Sequence, residues 1–168
     1  MCHDENKIFI KLGQKSIIQW TLSHINQVKA VSEVILVVAD GEAAYMEQHI
    51  ASLGLSKSIK IVTGGKERQD SVYAGLQAVA DDIDIVLVHD GARPLAKPEL
   101  FERVIEGAET HGAVTIGVPS TDTIKRVDID GQVLETLNRN ELMNIQTPQG
   151  FKKIYSKRLK NQLRKMLI

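Results

Sequence analysis

Residues 83–94 read IDIVLVHDGARP. Ile85, Val86, Leu87 and Val88 form an unbroken aliphatic run, without the polar alternation of a strand that has one wet face. Such a run suits a strand covered on both sides. It breaks without transition into His89, Asp90, Gly91, Ala92, Arg93 and Pro94. In an open α/β sheet, ligands bind beyond the carboxyl ends of the strands. An acid and an arginine at such an ending therefore mark a place to look for chemistry.

On both sides of this run, strand-like and helix-like stretches alternate. Residues 34–38 are a short β-branched run, 42–53 suit a helix and 59–62 a second strand. Between 67 and 80, Val72, Leu76 and Val79 recur at helical spacing. Pro98 suits the first turn of a helix that carries Leu100, Phe101, Val104, Ile105 and Ala108 on one face. Residues 113–118 are a further strand. This alternation predicts an α/β fold, a doubly wound, Rossmann-like, mainly parallel sheet with helices on both faces. Residues 123–138, TIKRVDIDGQVLETLN, interrupt the pattern. Two short strands around Asp130-Gly131 predict a β-hairpin arm spanning about 121–146.

The bulk numbers fit one soluble domain covering residues 1–168. Of 168 residues 43% are hydrophobic and 25% charged. Lys plus Arg and Asp plus Glu both number 21, for a formal net charge of zero. That balance argues against wholesale binding to nucleic acid or to an anionic membrane. The single cysteine, Cys2, excludes an internal disulfide and fits a reducing cytoplasm. No apolar run approaches the roughly 20 residues needed to span a bilayer, and the N-terminus has no apolar signal core. The tail over 152–168 is basic and helix-compatible, most simply a solvated helix.

Three strand endings carry groups that suit phosphate chemistry. After 59–62 come Gly64, Gly65, Lys66, Arg68 and Ser71, at the start of a helix. Glycines admit a ligand close to the backbone, and the helix start offers free N–H groups. The same glycines could equally serve an ordinary strand–turn–helix connection. At the second ending, Asp90 can hold a divalent metal or a hydroxylated substrate, and Arg93 can clamp a phosphate. The plain alternative is a surface turn closed by a salt bridge. The third ending, 118–126, gathers hydroxyls with Lys125 and Arg126 before the hairpin. With no Ser-His-Asp order, HExxH helix or Walker sequence present, phosphoryl or nucleotidyl transfer is the best reaction class.

Taken together and in order, TGGKERQDSVYAGL (63–76), VLVHDGARP (86–94), VPSTDTIKRV (118–127) and NRNELMNIQTPQGF (138–151) resemble the 2-C-methyl-D-erythritol 4-phosphate cytidylyltransferases. The resemblance implies an enzyme of non-mevalonate isoprenoid synthesis, which joins CTP and methylerythritol phosphate with Mg²⁺. Lys7 matches a lysine on the triphosphate. Gly65, Lys66 and Ser71 match positions around the cytosine and ribose. Asp90 matches the metal and substrate carboxylate, and Arg93 a residue close to the methylerythritol phosphate. Thr123 matches a substrate contact, with Lys125 beside it on the arm. Arg139 matches an arginine that reaches a neighbouring subunit's site, implying a homodimer through the arm. Thr147 matches a substrate-side threonine.

Members of that family open with a central strand and a glycine-rich loop, and they continue past the equivalent of Phe151. This sequence starts beyond the loop. The expectation is a sheet lacking its first central strand, with neighbouring edges unpaired, and weak cytidylyl transfer. Two other readings compete: the related D-ribitol-5-phosphate cytidylyltransferase, and a non-catalytic remnant that retains only binding or dimerisation.

Overall fold

A computed structural model describes residues 6–156. The chain enters through a 3-10 turn, Lys7–Phe9, and a small hairpin of β1 (Lys11–Leu12) and β2 (Lys15–Ser16). Helix α1 (Ile17–Gln27) follows directly. Its start is fixed by a reciprocal cap: the Gln19 N–H donates to Ser16 Oγ (3.4 Å) and the Ser16 N–H to Gln19 Oε1 (2.9 Å). Ile18, Thr21 and Leu22 face inward from it.

The alternation expected from the sequence then unfolds. It comprises β3 (Glu33–Val38), α2 (Ala43–Ile50), β4 (Ser58–Thr63), α3 (Arg68–Gln77), β5 (Ile85–Val88), α4 (Pro98–His111) and β6 (Ala113–Pro119). Helix α4 has Pro98 in its first turn and buries Phe101, Val104 and Ala108. The hairpin arm is β7 (Lys125–Val127) and β8 (Val133–Thr136), with Gly131 at φ +81° in its turn. Beyond it lie β9 (Met143–Lys152) and a short helical turn, α5 (Lys153–Ser156). Most of the basic tail lies outside the described residues.

Among the described residues the main strands form two sheets. β3 pairs with β4 in parallel. β9 lies between β5 and β6 and runs antiparallel to both, so β5 and β6 point the same way. Two ties fix the sense of one sheet against the other. Glu33, at the start of β3, accepts a bond from the Ala80 N–H ahead of β5 (2.8 Å). Arg68, just after β4, reaches Asp90, just after β5 (3.1 Å). β3, β4 and β5 therefore all run in the same sense.

One core surrounds β3, and a second ties α3 to the β5–β9–β6 sheet. Phe9, Ile18, Leu22, Leu36, Val38, Met46 and Ile50 form one buried cluster around β3. Phe101, Val104 and Ala108 are buried where α4 covers β5, β9 and β6, while Phe151 of β9 is buried with Leu76 of α3, beside Val72, Val86 and Val88. Strand β9 comes so close to α4 that a Cβ on Gly150 would stand 2.7 Å from Val104 Cγ1. Between the sheets lies a cavity of about 640 Å³, lined by Glu33–Val37 on one side and Ile85–Val88 on the other. This explains why the run at 85–88, expected to be covered on both sides, is only half-buried at all four positions.

Strand β9 was not foreseen. Pro148 and Gly150 make its sequence look like a turn, because proline cannot donate to a ladder. The structure accommodates the proline at an irregularity: Thr115 opposes Gln149 while the next residue, Ile116, opposes Gln146. Thr147 and Pro148 bulge from the ladder, joined by a cis peptide bond.

Candidate functional site

The β9 bulge turns Thr147 toward the end of β5. Its side chain is nearly buried (5% exposed), and its Oγ1 accepts the Asp90 N–H at 3.2 Å. The Asp90 carboxylate is then held from two sides. Arg93 Nε donates to Oδ2 at 3.0 Å and Arg68 Nη2 to Oδ1 at 3.1 Å. Arg93 also uses its fork to reach Gln146 Oε1. A backbone turn from the Arg93 N–H to the Asp90 carbonyl (3.1 Å) shapes the loop. From the opposite side, Thr21 Oγ1 of α1 donates to the Gly91 carbonyl at 2.9 Å.

Two guanidiniums share one carboxylate here, so the group carries an excess positive charge. All three side chains remain open to solvent, Asp90 at 41%. Exposed ion pairs are worth little as stabilisers. An open cluster with surplus positive charge at a strand ending is better suited to receiving an anion.

Arg68 links this cluster to the glycine loop. Gly64 continues the β3–β4 ladder through its N–H to the Val38 carbonyl (2.8 Å). The loop then folds back on the first turn of α3. The Gly65 N–H donates to Ser71 Oγ at 3.2 Å, and the Glu67 N–H to Asp70 Oδ2 at 3.3 Å. A Cβ on Gly64 would sit 2.6 Å from Ser71 Oγ, and one on Gly65 only 2.2 Å from Asp70 Cβ. The paired glycines thus serve close loop–helix packing, and the loop's Lys66 projects into solvent.

The structure brings Gly64, Gly65, Arg68, Ser71, Asp90, Arg93 and Thr147 to one end of the cavity or its rim. Lys7 is exposed in the entry turn, and its neighbours Asn6 and Ile8 line the same cavity as Arg68 and Asp90. Thr123, Lys125 and Arg139 stand apart from this cluster. Thr123 and Lys125 are exposed on the arm, where Lys125 Nζ donates to Thr136 Oγ1 (2.6 Å). Arg139 is exposed and opens a 3-10 turn, Arg139–Glu141, capped by the Asn138 side chain.

His89 stacks edge-on to Phe101 at 4.8 Å. Burial pushes its imidazole down to about 4, against the opposing pull of the Asp90 charge, so it is neutral at pH 7. Gln146 and Thr21 are the site residues that sequence reasoning passed over. Gln146 stands in QTPQGF (146–151), whose proline and glycine read as a polar turn. The signal for α1, which carries Thr21, was the Ser16–Gln19 capping pattern.

The family model described as IspD, 2-C-methyl-D-erythritol 4-phosphate cytidylyltransferase, matches residues 1–165. The chain belongs to that family. It is 43% identical over 150 residues to the 2-C-methyl-D-erythritol 4-phosphate cytidylyltransferase of Pelotomaculum thermopropionicum, covering 89% of this chain and 63% of that protein. With the same enzyme of Alkaliphilus metalliredigens it shares 45% over 148 residues, covering 88% and 61%. The family fold is seen in the 4-diphosphocytidyl-2C-methyl-D-erythritol synthase of Anaerococcus prevotii. That crystal structure matches with a TM-score of 0.79 at 34% identity, covering 91% of this chain and 69% of the other. The chain spans about three fifths of the length of the curated relatives it matches. Among the described residues no helix is long and apolar enough to cross a membrane.

Proposed function

We propose that this chain carries the cytidylyl-transfer site of its family, joining CTP and 2-C-methyl-D-erythritol 4-phosphate in the cytoplasm. The observation that carries the reading is Asp90, held at the carboxyl end of β5 between Arg68 from the glycine loop and Arg93 from its own loop. In the reaction, an oxygen of the sugar phosphate attacks the α-phosphorus of CTP. The bond to the β,γ-phosphates breaks, and pyrophosphate leaves with the electron pair. Little covalent work falls to the protein, so positioning and charge dominate.

In this reading Arg93, steadied by Asp90 and Gln146, holds the sugar phosphate. Arg68, Lys66 and the loop backbone serve the nucleotide side. Lys7 adds charge at the cavity rim. Asp90 fits Mg²⁺, a cation often bound through one or two carboxylates with substrate phosphates completing its shell. No cluster of three or more His, Cys, Asp or Glu exists among the described residues to hold a metal by protein alone. Bound there, the cation would neutralise phosphate charge; the arginines act on the same charge directly.

The test is pyrophosphate release from CTP by this chain with methylerythritol phosphate, with D-ribitol 5-phosphate as the comparison substrate. Release specific to the first supports the proposal; release with neither, despite a folded chain, defeats it.

We also read the arm as a homodimer contact that carries Thr123, Lys125 and Arg139 to a partner's site. Its support is an apolar surface at Val127, Val133 and Leu134, with Ile129 99% exposed at the tip. Sedimentation of the chain against an Ile129→Asp, Leu134→Asp variant checks it: the variant should be the smaller species.

A further inference from the structure

In a regular strand, neighbouring side chains point to opposite faces, so two consecutive residues do not serve one loop. Gln146 and Thr147 of β9 do. Gln146 Oε1 accepts from Arg93 Nη1, and Thr147 Oγ1 accepts the Asp90 N–H at 3.2 Å. Both targets lie in the one turn after β5, closed by the Arg93 N–H on the Asp90 carbonyl at 3.1 Å. The irregularity in β9 makes this possible. Thr115 opposes Gln149 and Ile116 opposes Gln146, so Thr147 and Pro148 have no partner on β6. A bulge of this kind re-aims side chains. Thr147 fixes the loop backbone, and Gln146 fixes the guanidinium.

The two anchors of Arg93 differ in chemistry. Asp90 Oδ2 takes its Nε at 3.0 Å, and that carboxylate is shared with Arg68 at 3.1 Å. Gln146 brings no charge. A guanidinium presents its N–H donors in one rigid plane. Bonds at Nε and Nη1 set that plane and leave the remaining donors for a ligand, on a side chain 38% exposed. An amide at 146 thus holds the arginine without cancelling its charge. A carboxylate of the same size would pair with it. Gln146 is itself half-buried, next to the buried Thr147 and Pro148. We infer that Gln146 is a positioning residue, which aims Arg93 at a dianionic phosphate monoester and, being neutral, leaves the arginine's charge available to it. The inference rests on the reading of Arg93 as the sugar-phosphate residue and adds the group that orients it.

The test titrates inorganic phosphate into the intact chain at a pH where phosphate is dianionic. NMR shifts of the Gly91–Arg93 amides and of the Arg93 Nε–H are followed in the unmodified chain, in Gln146→Glu and in Gln146→Met. Gln146→Glu is expected to weaken phosphate binding about tenfold. Gln146→Met loses the acceptor but adds no charge, and should weaken it only about threefold. In turnover, KM for the sugar phosphate should rise in the same order while KM for CTP stays within about twofold. A merely structural role would instead move both constants and lower melting equally in the two variants. Equal phosphate affinity in the unmodified chain and Gln146→Glu overturns the inference. So does an equal loss in both variants, or an unmodified chain whose amides do not respond to phosphate. The expected order of phosphate affinities without any pyrophosphate release would defeat the proposed reaction and leave this inference standing.

Discussion

The β3–β4 half and the β5–β9–β6 half of the molecule solve different problems. The first is built from a local parallel pair whose core is supplied by α1, α2 and the entry turn. The second is antiparallel, knitted by a strand from far along the chain, with one long helix over it. Few polar ties cross between them: Glu33 to Ala80, Arg68 to Asp90, Thr21 to Gly91. Yet the candidate site needs both, with Arg68 from one half and Asp90, Arg93 and Thr147 from the other. The contrast teaches that the halves, joined by the apolar Leu76–Phe151 cluster, place the candidate chemistry where they meet.

Five measurements would break or sharpen that contrast. The largest effect is expected from Asp90→Ala, which should lower pyrophosphate release by about 10²-fold or more while thermal melting barely moves. A parallel collapse in melting would mean that the seam also holds the fold together. Next, Phe101→Ala should cost about 3–5 kcal/mol and Leu36→Ala about 2–4 kcal/mol in denaturant unfolding. Two separate transitions would make the halves independent; a single one would make them one cooperative unit.

The third measurement is pH dependence. His89 has its folded value pushed below the unfolded one, so the unfolded chain takes up a proton first as pH falls. Stability should therefore decline from pH 6.5 toward about 4, by about 3 kcal/mol at most, and His89→Gln should flatten that decline. Glu33 concerns the seam directly. Burial raises its pKa, but the bonds from Lys60 (2.9 Å) and the Ala80 N–H outweigh this and hold the carboxyl below its usual value. Its contribution is present above the unfolded value of 4.5 and lost as pH falls through the folded one. Glu33→Gln should cost about 1–3 kcal/mol near neutral pH, with faster exchange at Ala80. The smallest effect belongs to the arm, where removing the exposed Arg126–Glu135 pair (3.0 Å) by Glu135→Ala should change stability by under about 1 kcal/mol.

The β3-to-β6 alternation was legible because apolar runs and helical spacing mark it directly, and Asp130-Gly131 located the hairpin turn. Asp90 and Arg93 were legible as a strand ending. Strand β9 was not, because Pro148 and Gly150 are ladder-breaking residues that only tertiary context can place inside a sheet: a bulge for one, the closeness of α4 for the other. Arg68 was legible as a donor after the glycines, but its tie to Asp90 was not. Its sequence neighbours are the glycines, and its salt bridge depends on how the two sheets face each other. The unpaired edges followed from the resemblance, but the size and walls of the space between them required coordinates.

The position of β9 has a consequence for how the protein is made. Residues 33–63 can form their strand pair as soon as they leave the ribosome, since helix α2 joins two adjacent strands. β5 and β6 cannot bond to each other at all; each waits for β9, whose pairing partners lie up to 67 residues earlier, as Lys152 with Ile85. Long-range pairings of this kind form slowly. Until residues 143–152 arrive, Asp90 has no Thr147 beneath it and Arg93 no Gln146 beside it. The carboxylate at the heart of the site is therefore set in place late in synthesis, after the half that supplies Arg68 has had time to fold.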